Sequence, residues 1–110
     1  MSGVADLFSA IAERHRRDIL DALCEGEKAV GALVADLSLA QPQVSKHLRV
    51  LSEVGLVRSR ADGRRRLYRV DPTRLAPFRD WLAKYEQAMS DRFDRIDDYL
   101  KELQRQGETR

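Results

Sequence analysis

Residues 39–57 read LAQPQVSKHLRVLSEVGLV, and this stretch decides the fold of the 110-residue chain. Within it Val44, Leu48 and Leu51 recur at the spacing of one buried helix face. Pro42 suits the first position of such a helix, where its missing N–H group costs nothing. The stretch therefore predicts a short amphipathic helix with a polar outer face.

The outer face of this predicted helix carries side chains that can read base pairs. If the apolar residues point inward, Lys46 and Arg49 point outward, and Gln43 and Ser45 lie on the flanks. Gln pairs well with adenine, Arg and Lys with guanine, and Ser with a base or a phosphate. His47 lies nearer the packed side, which indicates a boundary residue and not a base reader. The alternative is a polar helix surface without a partner.

Helical spacing also precedes this stretch. The first stripe is Val4, Leu7, Phe8 and Ile11, and a second helix is predicted from about Arg14 to Cys24, with Gly26 closing it. A third stripe is Val30, Leu33, Val34 and Leu37. Only residues 38–40 separate the third helix from the fourth, and two short helices joined this tightly are typical of a helix-turn-helix.

The period changes to alternation from Leu56 to Val70, with Asp62-Gly63 at the centre, and this predicts a two-stranded hairpin. Arg64, Arg65 and Arg66 should follow the turn at an exposed tip. Three consecutive cations repel one another, and a DNA backbone or minor groove would relieve that repulsion. The alternative is a solvated loop.

A long apolar stripe follows Asp71-Pro72, with spacings of three and four residues throughout. Its members are Leu75, Phe78, Leu82, Tyr85, Met89, Phe93, Ile96, Leu100 and Leu103. The stripe predicts a helix of about eight turns, whose bend, if it has one, lies near Pro77. One small domain offers too little surface to cover it, and the same helix of a second copy is the most economical partner.

Charge is concentrated in one block. Residues 41–70 carry a net charge of +6, against −3 for residues 1–40 and −1 for residues 71–110. Such a local excess favours a surface that binds a polyanion.

The single Cys24 excludes a disulfide framework within one chain, and no apolar run is long enough for a membrane span, so we expect a cytoplasmic protein. The motifs of catalytic sites are absent, and we expect neither an enzyme nor a cofactor.

Together these pieces resemble the ArsR/SmtB family of dimeric bacterial winged-helix repressors. The motifs that carry the resemblance are RRDILDAL at 16–23, the stretch 39–57 and RADGRRRLYRVDP at 60–72. The resemblance implies a mainly α fold with a β-hairpin wing in a single domain, 1–110. Its parts would be helices 1 and 2 in 1–25, the helix-turn-helix in 29–54, the wing in 56–70 and a dimerisation helix in 73–105.

The resemblance also implies residue roles. The expected partners are double-stranded DNA carrying an inverted-repeat operator and a second copy of the chain. Base contacts in the major groove would come from Gln41, Gln43, Ser45 and Lys46, to which we add Arg49, and wing contacts would come from Arg64, Arg65 and Arg66. The dimer interface would use the first and last helices, through Leu7, Phe8, Ile11, Phe78, Leu82, Tyr85, Met89, Phe93, Ile96 and Leu100.

The sequence departs from the metal-sensing members of the family. Their thiolates in the third helix correspond to Ala29, Gly31 and Val34, and there is no His after His47 to serve a site in the last helix. The last helix does place acidic residues close together, namely Asp94, Asp97, Asp98 and Glu102. Carboxylates alone bind transition metals weakly, so we expect no metal, and the effector stays open.

Two points remain open. Cys24 ends an apolar helix and is most simply a small buried residue, although a redox role is the alternative.

The function also has alternatives to a sequence-specific repressor. The protein could be a winged-helix dimer that docks another protein, or one that coats DNA without sequence preference.

Overall fold

A computed structural model describes residues 4–108 of the chain. Its elements in order are α1 (Val4–Ile11), α2 (Arg14–Leu23), β1 (Lys28–Ala29), α3 (Val30–Leu37), α4 (Gln41–Glu53), β2 (Val57–Asp62), β3 (Arg65–Val70), a 3₁₀ turn (Pro72–Leu75) and α5 (Ala76–Glu108). The predicted class, mainly α with a β wing, is confirmed.

By its internal contacts the chain divides into two compact units, Met1–Pro77 and Phe78–Arg110. The first unit holds the four short helices and the sheet, and the second is the body of α5.

A polar corner joins α1 to α2. Glu13 is the N-cap of α2, and its carboxylate accepts a hydrogen bond from the backbone N–H of Arg16 at 3.0 Å. The Arg16 side chain in turn donates to the carbonyl of Ala10, and Arg17 donates to the carbonyls of Ile11 and Ala12 at 2.9 Å. These arginines satisfy carbonyl groups that the end of α1 leaves unpaired, so the corner is fixed at both helix ends.

The helix-turn-helix consists of α3, a three-residue turn and α4. Ser38 takes the left-handed conformation with φ of 54°, which turns the chain from α3 towards α4. At the other end Gly55, with φ of 82°, closes α4: its N–H donates to Ser52, and that of Leu56 donates to Leu51 at 3.0 Å. This is the Schellman pattern, and both leucines that flank it are fully buried.

The sheet has three antiparallel strands in the order β1-β3-β2. Strand β1, which the sequence did not predict, has only two residues and pairs Lys28 with Tyr68 of β3. The turn is also displaced by one residue from its predicted centre. Asp62 pairs with Arg65, so Gly63 and Arg64 form the loop, and Gly63 has φ of 64°. Glycine at the first loop position with positive φ is typical of a type II′ hairpin turn.

The core of the first unit gathers the predicted inward faces of its helices. Its fully buried side chains include Leu7, Ile19, Leu33, Val44, Leu48, Leu51, Leu56 and Val57. The prediction that Leu7 belongs to a dimer interface is therefore wrong. Leu7 is 0% exposed in a single subunit, so it has no surface left for a second subunit to cover.

Helix α5 is 33 residues long, or about 50 Å at 1.5 Å per residue. It begins at Ala76, so Pro77 lies in its first turn, where proline is tolerated. Phe78 is 8% exposed and offers little surface to a partner, unlike the residues that follow it. The predicted stripe from Leu82 to Leu103 lies open, with exposed fractions between 45% and 59%. Along residues 4–108, every helix is too short or too polar to cross a bilayer.

Candidate nucleic-acid interface

Helix α4 presents one polar face to solvent. The five side chains that the sequence predicted as base contacts, Gln41, Gln43, Ser45, Lys46 and Arg49, are all exposed. On the opposite side Val44, Leu48 and Leu51 are at most 1% exposed. Burial of this apolar face holds the helix against the rest of the unit, so the polar face has a fixed orientation.

The two cationic side chains of this face are available to a partner. Within residues 4–108, Lys46 and Arg49 make no hydrogen bond or ion pair through their side chains. Gln43 is partly engaged: its Oε1 accepts a hydrogen bond from the backbone N–H of Ala40 at 3.3 Å, which caps the start of α4. Its amide N–H groups stay available to a partner.

His47 lies on the packed side of α4, as its spacing predicted, with 13% of its side chain exposed. It faces the α1–α2 corner, with its Nδ1 3.8 Å from a carboxylate oxygen of Glu13 and its ring centroid 5.8 Å from that of His15. The distance to Glu13 is too long for a hydrogen bond, and the buried Nδ1 has no hydrogen-bond partner within the described residues.

This environment shifts two pKa values. Burial lowers the pKa of His47, and the charges of the nearby Arg16, His15 and Lys46 lower it further. The negative charge of Glu13 acts in the opposite direction but is outweighed. Burial opposes the ionisation of Glu13, but the hydrogen bond from the backbone of Arg16 and the charges of the two histidines outweigh it and lower the pKa of Glu13.

The two faces of the wing differ in character. Successive side chains of a strand point to opposite faces, so cross-strand pairing fixes which residues share a face. Val57 and Val70 form a pair on one face, and Val57 is 2% exposed, so this face covers the core. Lys28 lies on the same face and donates to Asp36 of α3 at 2.6 Å. We call it the inner face and the opposite one the outer face.

Three of the four arginines of the outer face are neutralised by carboxylates, and the fourth, Arg69, makes no ion pair within the described residues. The pairs are Arg58 with Asp71 at 2.6 Å, Arg60 with Glu27 through two hydrogen bonds of 2.9 and 3.1 Å, and Arg65 with Asp62 at 3.2 Å. The hydrogen bond with Arg60 lowers the pKa of Glu27. Hydrogen bonds from Thr73, and then from Arg58, lower the pKa of Asp71 to about 2.

Within residues 4–108, Arg64 and Arg66 also have no carboxylate partner. Arg66 lies on the inner face, where its Nε donates to the hydroxyl of Ser59 at 3.2 Å. Arg64 lies in the turn and, within residues 4–108, its side chain makes no hydrogen bond or ion pair. The expectation that three consecutive arginines follow the turn together is therefore wrong. One residue sits in the turn, and the next two point to opposite faces.

Sequence reasoning missed the carboxylates that neutralise the wing. Glu27 lies 33 residues before Arg60, and Asp71 lies 13 residues after Arg58, so no local spacing links either pair. Only Asp62, three residues before Arg65, had a short-range signal. These partners follow from strand pairing, which a motif search along the chain does not include.

The remaining candidates belong to α2 and α5. Cys24, predicted to be buried, is exposed, because it caps the end of α2 one residue beyond the buried Leu23. On α5, Glu102 forms an ion pair with Arg105. Among residues 4–108, no three His, Cys, Asp or Glu side chains are arranged to hold a metal ion.

Comparison with known proteins assigns the family. The sequence model described as bacterial regulatory protein, arsR family, matches residues 14–59, which cover α2, the helix-turn-helix and the start of the wing. The HTH-type transcriptional regulator Rv2034 of Mycobacterium tuberculosis is 44% identical over 78 residues, which are 71% of this chain and 73% of that one. A probable mercury resistance operon repressor of Streptomyces lividans is 35% identical over 66% of this chain and 58% of its own length.

Solved structures agree with the sequence relatives. A crystal structure of a possible transcriptional regulator for arsenical resistance is 37% identical, covers 78% of this chain and 95% of its own, and has a TM-score of 0.67. The solution structure of a homodimeric winged helix-turn-helix DNA-binding domain from Mycobacterium bovis is 31% identical over 80% of this chain and 78% of that one, with a TM-score of 0.62. The chain belongs to the ArsR family of bacterial regulatory proteins.

Proposed function

We propose that this protein is a homodimeric, sequence-specific DNA-binding repressor. Two α4 helices, related by the dimer two-fold axis, would enter successive major grooves of an inverted-repeat operator. Their half-sites would then lie about one helical turn, ~34–36 Å, apart. Such a regulator acts in the bacterial cytoplasm, and its operator lies upstream of the genes that it controls, its own among them.

The observation that carries the proposal is the free polar face of α4. Lys46 and Arg49 have donors suited to guanine, Gln43 keeps its amide N–H groups, and Ser45 can donate or accept. A face that served only solubility would not need this set of donors. It would also not need the unpaired arginines of the wing, which belong to the same unit. Base contacts would specify the operator, while wing and helix contacts to phosphates would supply affinity.

The relatives support the repressor, the DNA binding and the dimer. Relatives in Streptomyces lividans and Bacillus subtilis are named as repressors, and the structure from Mycobacterium bovis is described as a homodimeric DNA-binding domain. The open stripe of α5 gives this chain a surface for the same kind of assembly, together with the half-buried Phe8 and Ile11 of α1.

Fluorescence anisotropy with two DNA duplexes tests the function. One duplex comes from the region upstream of the encoding gene and the other is its scrambled counterpart, and both are titrated across a series of salt concentrations. Strong preference for the upstream duplex with a steep salt dependence supports the repressor. Equal affinity for both duplexes favours DNA coating, and no binding to either favours a module that docks another protein.

Lys46→Ala tests the role of α4 directly. We expect operator affinity to fall roughly tenfold or more, because a good base contact discriminates by about 1–3 kcal/mol, and we expect preference over scrambled DNA to narrow. Arg14→Ala is the matched control. It removes the same charge from an 82%-exposed side chain on α2, outside the α4 face and the wing. Equal losses in the two variants would contradict the assignment of Lys46 as a base contact.

A further inference from the structure

We infer that the wing contacts DNA through Arg64 and Arg66, and that Arg65, although it lies between them in sequence, is a structural residue. This inference rests on the proposed function and assigns the phosphate contacts of the same site. It separates three side chains that composition and spacing treat as one cluster.

Strand register places Arg65 and Arg66 on opposite sides of the sheet. Arg65 pairs with Asp62, and Arg66 pairs with Ala61. Because side chains alternate along a strand, Arg66 shares the inner face with Tyr68, while Arg65 lies on the outer face. Val57 of the inner face and Leu51 of α4 are both buried in the same core, so the inner face is on the same side of the sheet as the helix that bears the base contacts.

Charge compensation separates them further. The guanidinium of Arg65 approaches the carboxylate of Asp62 through both Nε and Nη2, at 3.2 Å in each case. A phosphate that approached Arg65 would compete with that carboxylate and would also be repelled by it. Since little net positive charge remains at this pair, it would release few counterions from DNA.

Arg66 has the opposite character. Ser59, its hydrogen-bond partner, is neutral, so the full positive charge of Arg66 remains. The bond uses Nε and fixes the direction of the side chain, which leaves the two Nη groups with their donors for phosphate oxygens. Arg64 adds a second uncompensated charge in the turn.

Three single substitutions test the assignment, namely Arg64→Ala, Arg65→Ala and Arg66→Ala. Each removes one positive charge, so a general effect of net charge would be equal in all three. Affinity is measured by anisotropy on the upstream duplex and on a random-sequence duplex between 50 and 300 mM salt. A dimer has two wings, so the loss of one phosphate contact from each should reduce the salt slope by about 1.8.

We expect Arg64→Ala and Arg66→Ala to weaken binding about five- to twentyfold at low salt and to flatten the slope on both duplexes. Arg65→Ala should change affinity less than about twofold and leave the slope unchanged. Arg66→Lys, which keeps the charge, should retain most of the slope. A retained slope in Arg66→Lys would show that the positive charge at this position supplies the contact. Equal losses for Arg65→Ala and Arg66→Ala would overturn the inference.

The same titrations distinguish this inference from the proposed function. If the protein has no preference for the upstream duplex, sequence-specific repression at that site fails. The three variants still decide the wing assignment on random DNA, because phosphate contacts do not depend on sequence. If the unmodified protein binds neither duplex, the function and the wing assignment are both wrong.

Discussion

His47 illustrates how a single residue of α4, the helix with the proposed base contacts, can serve packing. Its neighbour Lys46 is exposed to solvent, whereas His47 turns towards the α1–α2 corner and meets the carboxylate that caps α2. Glu13 therefore has two roles: it starts α2, and it is the acidic group nearest to the buried imidazole. His47 packs α4 against this corner, and because burial disfavours the charged form of its imidazole, the stability of this packing depends on pH.

We expect the free energy of unfolding to fall as pH decreases from 7.5 to 5.5. Because burial lowers the pKa of His47 in the folded protein, the unfolded chain, with a histidine pKa of about 6.5, binds more protons in this range. Stability is therefore full above the unfolded value and is lost as pH falls through it. The pKa values of Glu13 and Asp71 are lowered, so both stay ionised here and do not produce the effect.

The measurement is urea unfolding of the unmodified protein and His47→Leu at matched pH values. The variant has no imidazole to protonate at this position, so its stability should depend less on pH. Comparison at pH 7.5, where the native imidazole is neutral, gives the cost of the substitution itself. Parallel pH profiles for the two proteins would contradict the assignment.

At the scale of elements, backbone conformation decides whether a Gly→Ala substitution raises or lowers the stability of the protein, and two glycines differ in this respect. Gly63 has φ of 64° in the hairpin turn, and a Cβ there would meet no atom within 4 Å, so Gly63→Ala costs only conformational strain, roughly 1 kcal/mol or slightly more. Gly31 lies in α3 with equally open surroundings, and Gly31→Ala should stabilise the protein by about 0.5–1 kcal/mol. Chemical denaturation measures both changes, and the same sign for both variants would refute the explanation.

The elements also show what the sequence could predict. Helices α2, α3 and α4 match their predicted stripes, because packing of one apolar face gives a period that is visible along the chain. Strand β1 was missed because two residues have no period, and α3 begins directly after them. The turn was displaced because Asp-Gly is a strong signal for its centre, whereas pairing of Asp62 with Arg65 moves that centre onto Gly63 and Arg64.

For the candidate site, the α4 face was predictable and the wing was not. One helix determines the α4 face, so the buried positions Val44, Leu48 and Leu51 locate the exposed ones. The charge state of the wing depends on Glu27 and Asp71, which reach the hairpin from outside it. The prediction that Leu7 lies in the dimer interface was wrong for a related reason. The spacing shows an apolar face on α1, but the fold decides whether α2 or a second subunit covers that face.

At the scale of the whole molecule, the open stripe of α5 needs a partner. Tyr85, Phe93 and Leu100 each leave more than half of their surface exposed in a single chain. Exposed apolar patches of this extent on small proteins mark interaction surfaces. The polar side of α5 is highly charged and includes the Gln87–Asp91 hydrogen bond at 2.9 Å, so solvent and partner sides of this helix are clearly distinguished.

We expect Ile96→Asp to convert the dimer to monomers. Ile96 lies in the middle of the stripe with 47% of its surface exposed, and a two-fold interface would bury the new carboxylate twice without a partner. The dimer dissociation constant should rise about a hundredfold or more, measured by sedimentation equilibrium. Gln87→Asp is the control, because it adds the same charge nine residues earlier, half a turn round the helix. It replaces the exposed hydrogen bond to Asp91 by a like-charge pair that costs only about 0.2–0.5 kcal/mol, so the dimer should stay intact.

DNA binding then connects the dimer to the proposed function. A monomer reads one half-site only, so Ile96→Asp should lose most of the affinity for an inverted repeat while its weak binding to a single half-site matches that of the unmodified protein. Gln87→Asp should bind the inverted repeat and the single half-site with the affinities of the unmodified protein. If Ile96→Asp remains dimeric, the stripe is not the interface; if it is monomeric yet binds the inverted repeat unchanged, operator recognition does not need the two-fold pairing of α4 helices.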